Sequence, residues 1–116
     1  MSGVTPLSPF ASAKLGPITL RNRIIKSATF EGVVPDSLVT QELIDYHQKV
    51  AAGGAGMNTV AYLAVSPDGR PNSECLYQRD EVIPGLRKLT DAIHAEGAKA
   101  SVQIGHAGLV ANSKSN

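Results

Sequence analysis

The sequence predicts an α/β fold: a parallel sheet preceded by a small hairpin. Three observations carry that prediction. Extended apolar stretches alternate with helical periodicity in the order strand, helix, strand, helix, strand. Glycine stops each helical stretch, at Gly53-Gly54-Ala55-Gly56 and again at Gly97. The connections are unequal: helix-to-strand links are short (Gly53–Gly56, Gly97–Ala98), whereas strand-to-helix links are long (Phe30–Val39, Ala64–Arg79). Strands that alternate with helices pair in parallel through right-handed crossovers. Long loops at the carboxyl ends of such strands are where α/β proteins carry their sites.

Taken in order, Met1 to Ser12 is rich in Pro and Ser and reads as a surface wrap. Lys14-Leu15-Gly16-Pro17-Ile18-Thr19-Leu20 reads as two short extended pieces about a Gly-Pro turn. Arg21-Asn22-Arg23 leads into a strand from Ile24 to Ala28 or Thr29, followed by a loop through about Val39. Thr40 is a good N-cap, with Glu42 in the first turn, and Leu43, Ile44, His47, Val50 and Ala51 recur at helical spacing. Met57 to Leu63 is apolar and suits a second strand. The loop after it carries Ser66-Pro67-Asp68-Gly69-Arg70-Pro71, dense in turn residues. A second helix opens at Asp80 or Glu81, tolerates Pro84 in its first turn, and has the apolar stripe Val82, Leu86, Leu89 and Ile93. Lys99 to Ile104 is the third strand, and a polar tail runs from Leu109 to Asn116.

Composition excludes several classes. The chain has 116 residues, the size of one domain, with a net charge of +1 and no Trp. That balance gives no electrostatic case for nucleic acid or an anionic membrane, and few rings on which bases could stack. The single cysteine, Cys75, excludes an internal disulfide and a multi-cysteine metal site. A single cysteine fits a reducing, cytoplasmic setting. No apolar run reaches transmembrane length, and the N-terminus does not read as a signal peptide.

On the third strand Ala100, Val102 and Ile104 point one way and Lys99, Ser101 and Gln103 the other. Gln103 therefore ends the strand on its polar face, before the loop Gly105-His106-Ala107-Gly108. A carboxamide carries donor and acceptor together and can read a ligand edge that carries both. The other two strand ends bring Ser27-Ala28-Thr29 and Ala61-Tyr62 to the same side. Small residues at two ends and a carboxamide at the third suit a flat polar ligand. Spacing alone, however, favours ordinary strand-end residues, with Gln103 satisfied by backbone. His47 reads as a satisfied packing residue, His94 as solvent-facing, and His106 as supporting the site rather than as an acid or base; none has metal-ligand spacing. Cys75 is a reactive thiol only if exposed. There is no GxGxxG and no P-loop, and Gly53–Gly56 precedes a strand, the wrong context for cradling phosphate.

Three segments, in order and at matching spacing, resemble the old yellow enzyme family of FMN-dependent NAD(P)H:flavin oxidoreductases and ene-reductases. They are Leu15-Gly16-Pro17-Ile18-Thr19-Leu20-Arg21-Asn22-Arg23-Ile24-Ile25 running on to Ser27-Ala28-Thr29, then Val65-Ser66-Pro67-Asp68-Gly69-Arg70, then Gln103-Ile104-Gly105-His106-Ala107-Gly108. The resemblance covers residues 7–112 and implies the N-terminal portion of a TIM (β/α)8 barrel: the bottom hairpin with about three strands and two helices. Residues 1–116 would form a partial FMN-binding domain, with 1–6 and 113–116 disordered. The resemblance places Ser27, Ala28 and Thr29 against the isoalloxazine ring of FMN, with Ala61 or Tyr62 touching it and Gln103 on its pyrimidine edge. NADH or NADPH would reduce the flavin, which would pass hydride to an activated alkene such as an enone. Phe30 stands where several members carry Thr or Cys, Ala61 where a glutamate is common, and Leu109 where an arginine is.

The family's later strands supply its substrate-binding His/Asn pair, proton-donor tyrosine and phosphate site, none of which lies within these residues. The 116 residues alone are therefore expected to be poorly stable, with little or no reductase activity, and to self-associate as a homo-oligomer. The alternative is a non-catalytic remnant that pairs with itself or a partner through open sheet edges.

Overall fold

A computed structural model of the protein describes residues 8–111. The expectation of disorder at 1–6 and 113–116 lies outside the described residues.

Strands β1 (Ala13–Leu15) and β2 (Ile18–Leu20) form the expected antiparallel hairpin, with Leu15 opposite Ile18. Its loop is Gly16-Pro17, and Gly16 takes φ +58°, a left-handed value that a glycine at the first turn position adopts without steric cost.

The main sheet contains β3 (Ile25–Lys26), β4 (Met57–Ala64), β5 (Leu76–Tyr77) and β6 (Lys99–Gly105), all parallel where they pair. Met57 and Asn58 pair with both β3 and β6, which therefore lie on opposite edges of β4. Each helix crossover thus advances the sheet in the same direction. The two helices, α1 (Gln41–Ala52) and α2 (Ile83–Ala95), pack against one another on one face. Leu43, Ile44, Val60, Leu63, Leu89 and Ile93 form the centre of the core between that layer and the sheet.

Helix α1 begins where its sequence says it should. Thr40 is extended (φ −102°), its Oγ1 accepts the Leu43 N–H at 3.1 Å, and the same hydroxyl donates to the Val33 carbonyl at 2.8 Å. Helix α2 has no side-chain cap; a 3-10 turn (Asp80–Val82) leads into it, and Pro84 sits in its first turn, where no backbone donor is needed.

The far ends of both helices meet one side chain. Arg21 donates from Nε and Nη2 to the Ala55 carbonyl at 3.2 and 2.9 Å, from Nη2 to Ala51 at 2.5 Å, and from Nη1 to Glu96 at 2.6 Å. A single guanidinium so satisfies carbonyls that both helix ends leave open. Gly97 turns beneath it at φ +88°, where a Cβ would stand 2.6 Å from Arg21 Nη1.

Two elements differ from the sequence expectation. The first strand pairs only at Ile25 and Lys26 rather than running to Ala28 or Thr29. The loop from Ala64 to Arg79 contains β5, whose two residues pair with Leu63 and Ala64. Thus β4 is covered by β3 at its start and β5 at its end; between them, the Glu31 carboxylate accepts the Ala61 N–H at 2.9 Å. Among the described residues β6 pairs on one side only, and Val102 and Ile104 on its helix-facing side are 41% and 59% exposed.

Candidate functional site

Parallel pairing brings the carboxyl ends of β3, β4 and β6 to one side of the sheet. The register between β4 and β6 is regular from Met57 opposite Lys99 to Val60 opposite Val102, and resumes with Leu63 opposite Ile104. Two residues, Ala61 and Tyr62, therefore stand against Gln103 alone. This is a β-bulge, and it redirects side chains at the strand's end. Val60 and Leu63 both reach the core although three positions separate them, which strict alternation forbids. The extra residue frees Tyr62 from the helix side and puts it in an open cleft with Gln103.

That cleft, about 400 Å³, is lined by Tyr62, Pro71, Gln103, Ile104, Gly105, His106, Ala107 and Val110. The Gln103 carboxamide is exposed and has no hydrogen-bond partner among the described residues, so the expectation of a backbone-satisfied glutamine does not hold. Below it on the same face Thr59 Oγ1 and Ser101 Oγ lie 2.8 Å apart. The loop after β6 is docked on the turn after β4: the Gly69 carbonyl accepts both the Ala107 N–H at 2.7 Å and the Tyr62 hydroxyl at 3.2 Å. His106 packs its ring on Gly69, and its Nδ1 accepts the Gly108 N–H at 2.9 Å. Desolvation raises the Tyr62 phenol above its usual range, with the Cys75 thiol adding to the effect, so at neutral pH the hydroxyl is a donor.

Behind the bulge runs a buried polar chain that the sequence reading missed. Glu31 Oε2 lies 2.9 Å from His47 Nε2, with side-chain exposures of 4% and 0%. Asn58 Nδ2 donates to the His47 carbonyl at 2.8 Å and lies 3.2 Å from His47 Nδ1; Asn58 Oδ1 has no partner among the described residues. His47 is thus the satisfied buried residue that its helical position suggested. The available signal was Asn58, a polar residue on the buried side of an apolar strand, which requires a partner.

The remaining expected residues lie around this arrangement. Ser27, Ala28 and Thr29 leave the end of β3 unpaired, with Ser27 and Thr29 exposed and Ala28 half-buried. The Ser27 carbonyl accepts from Lys26 Nζ at 2.9 Å and Thr29 Oγ1 at 3.4 Å, but no hydrogen bond joins these residues to Ala61, Tyr62 or Gln103. The structure therefore brings Tyr62 and Gln103 into one cleft and Ala61 opposite Gln103, while Ser27–Thr29 connects to them through the chain and Glu31. Cys75 is 2% exposed, and burial pushes its thiol up, so it is no reactive cysteine. Among the described residues no cluster of three or more His, Cys, Asp or Glu could hold a metal, and no helix is long and apolar enough to cross a membrane.

Comparison with known proteins extends this picture. The pattern of the NADH:flavin oxidoreductase / NADH oxidase family matches residues 8–116. The chain is 62% identical over 109 residues to the 4,4'-dithiodibutanoate disulfide reductase of Rhodococcus erythropolis, covering 94% of this chain and 27% of that protein. The old yellow enzyme from Trypanosoma cruzi superposes with a TM-score of 0.83 at 26% identity, over 92% of this chain and 29% of its own. Morphinone reductase does so with a TM-score of 0.86 at 24% identity, over 96% and 29%. The chain thus spans less than a third of these proteins. Its hairpin, parallel strands and one-sided helices correspond to the N-terminal portion of their TIM (β/α)8 barrel.

Proposed function

The chain belongs to the NADH:flavin oxidoreductase / NADH oxidase family, and from that premise we propose that it contributes one wall of the FMN site of an NAD(P)H-dependent oxidoreductase. The observation that carries the proposal is Gln103, a carboxamide with no partner among the described residues, at a parallel strand's end and facing a cleft opposite a bulge. Its amide N–H and carbonyl suit the alternating acceptors and donors of the flavin pyrimidine edge. The surroundings fit a flat ring. Ala61, Gly105 and Ala107 project little or nothing beyond Cβ, and the Tyr62 ring packs beside Gly105, 3.6 Å from where a Cβ would stand. Ser27, Ala28 and Thr29 supply a small, polar strand end on the β3 side. FMN, when bound, supplies hydride transfer from NADH or NADPH to an acceptor.

The protein residues have narrower tasks. Gln103 orients the ring, Tyr62 limits water on one side of the cleft, and the loop after β6 borders the cleft, held in place by the Ala107 N–H on the Gly69 carbonyl. The acceptor is proposed to be an activated alkene of the enone kind. The Rhodococcus relative favours a second reading, an organic disulfide. The two separate by binding to the FMN-loaded chain: a saturable change of the flavin spectrum with 2-cyclohexenone supports the first, and with 4,4'-dithiodibutanoate the second. Titrating FMN with the chain tests the shared claim. Quenching of flavin fluorescence that saturates is expected, and no quenching removes the proposal.

A further inference from the structure

The carboxylate of Glu31 is buried, and its position is not that of an ordinary packing residue. Burying a carboxylate is unfavourable unless its hydrogen bonds are met. Here both oxygens are used. Oε1 accepts the Ala61 N–H at 2.9 Å, and Oε2 faces His47 Nε2 at 2.9 Å. The donors run in one direction. The amide of Asn58 faces the His47 carbonyl and Nδ1 with the same nitrogen, so Nδ1 is an acceptor and the ring proton sits on Nε2, pointing at Glu31. Asn58 on β4 and His47 on α1 thereby hold the carboxylate, and the carboxylate holds Ala61.

Ala61 is the first of the two residues that stand against Gln103. Its N–H lies on the β3 and β5 edge of β4, away from β6, at the gap between those two short strands, and Glu31 fills that gap; unheld there, the strand is free to slip at the bulge. A one-residue slip sends every later side chain to the other face. Slipped pairing would carry Tyr62 out of the cleft, toward the helices. Resting on the FMN reading above, we propose that Glu31 is a positioning residue for the cofactor site: through Ala61 it fixes the bulge, and so sets how Tyr62 and Gln103 meet the flavin, with His47 as the donor that holds it in place.

The test measures FMN affinity and the visible flavin spectrum of the full chain and four variants, together with amide exchange at Ala61. Glu31→Gln keeps size but presents an amide donor to the His47 proton. It is expected to weaken FMN binding about tenfold, shift the flavin absorption bands and speed Ala61 exchange. His47→Leu should do the same, whereas His47→Gln, whose amide nitrogen can still donate to Glu31, should keep affinity within about threefold. Arg21→Ala removes helix-end contacts at the opposite end of the sheet; it should lower stability yet leave FMN affinity within about twofold. If Glu31→Gln does not fold, the His47 pair decides, since only a polar positioning role separates Gln from Leu there. FMN binding by Glu31→Gln equal to wild type, or equal losses in His47→Gln and His47→Leu, overturns the inference and leaves the FMN reading standing. Absence of FMN binding by the wild-type chain overturns both.

Discussion

The ring of His106 lies so close to Gly69 that a Cβ added there would stand 2.8 Å from His106 Cδ2. The glycine is what lets the loop after β6 settle on the turn after β4, with the Ala107 N–H reaching the Gly69 carbonyl. Gly69→Ala should push His106 away, as overpacking of a tight contact costs about 1–3 kcal/mol. Thermal unfolding would report the loss, and FMN affinity should fall with it because the same loop borders the Gln103 cleft. A variant with unchanged melting temperature and unchanged affinity would show that the contact yields without consequence.

Arg21 joins the C-terminal ends of α1 and α2 through the Ala51, Ala55 and Glu96 carbonyls. Charged hydrogen bonds of this kind contribute about 1.5–3 kcal/mol, less where water reaches the group, as it does at this exposed residue. Arg21→Ala is expected to lower the urea midpoint clearly. Arg21→Lys should recover only a fraction, because an ammonium cannot span three carbonyls as a planar fork does. Equal midpoints for Lys and Arg would remove the argument from geometry.

Cys75 and Tyr62 predict the behaviour in alkali. Burial raises both the thiol and the phenol above their ordinary values in the folded state. A raised folded value means that the associated stability is present below the unfolded pKa and is lost as pH rises through the folded one. Stability should therefore hold to about pH 9 and decline above it. Cys75→Ala should make that decline shallower. Labelling of Cys75 by a maleimide should be at least about tenfold slower in the native chain than in denaturant. Rapid native labelling would contradict its burial.

The side of β6 that pairs with nothing among the described residues, with Val102 and Ile104 exposed beside it, predicts self-association of the 116-residue chain. Light scattering on a sizing column should show mass rising with concentration. Val102→Lys should reduce it, since a charge on that face opposes pairing. A monomer at every concentration would mean that the surface is protected by other means.

The helices were legible because their signals are local. Thr40, the stripe through Leu43 and His47, and the terminating glycines all lie within a few residues of the helix that they define. The parallel order followed from the alternation of strands with helices, and the shared functional side from loop lengths. What escaped depends on distance in sequence. Strand β5 has two residues, too few for any period, and exists because Leu63 and Ala64 offer an edge. The role of Glu31 has a non-local cause: the carboxylate meets Ala61, thirty residues on. The bulge itself left a trace. Val60 and Leu63 sit three apart in a strand whose faces alternate, and that mismatch required an extra residue between them.

The central claim is that Gln103 holds the flavin's polar edge, and a titration of FMN against wild type, Gln103→Ala and Gln103→Leu tests it most directly. Loss of one or two hydrogen bonds at about 1 kcal/mol each predicts affinity reduced about five- to thirtyfold in both variants, with far-UV circular dichroism unchanged. Affinity equal to wild type in both would contradict the account.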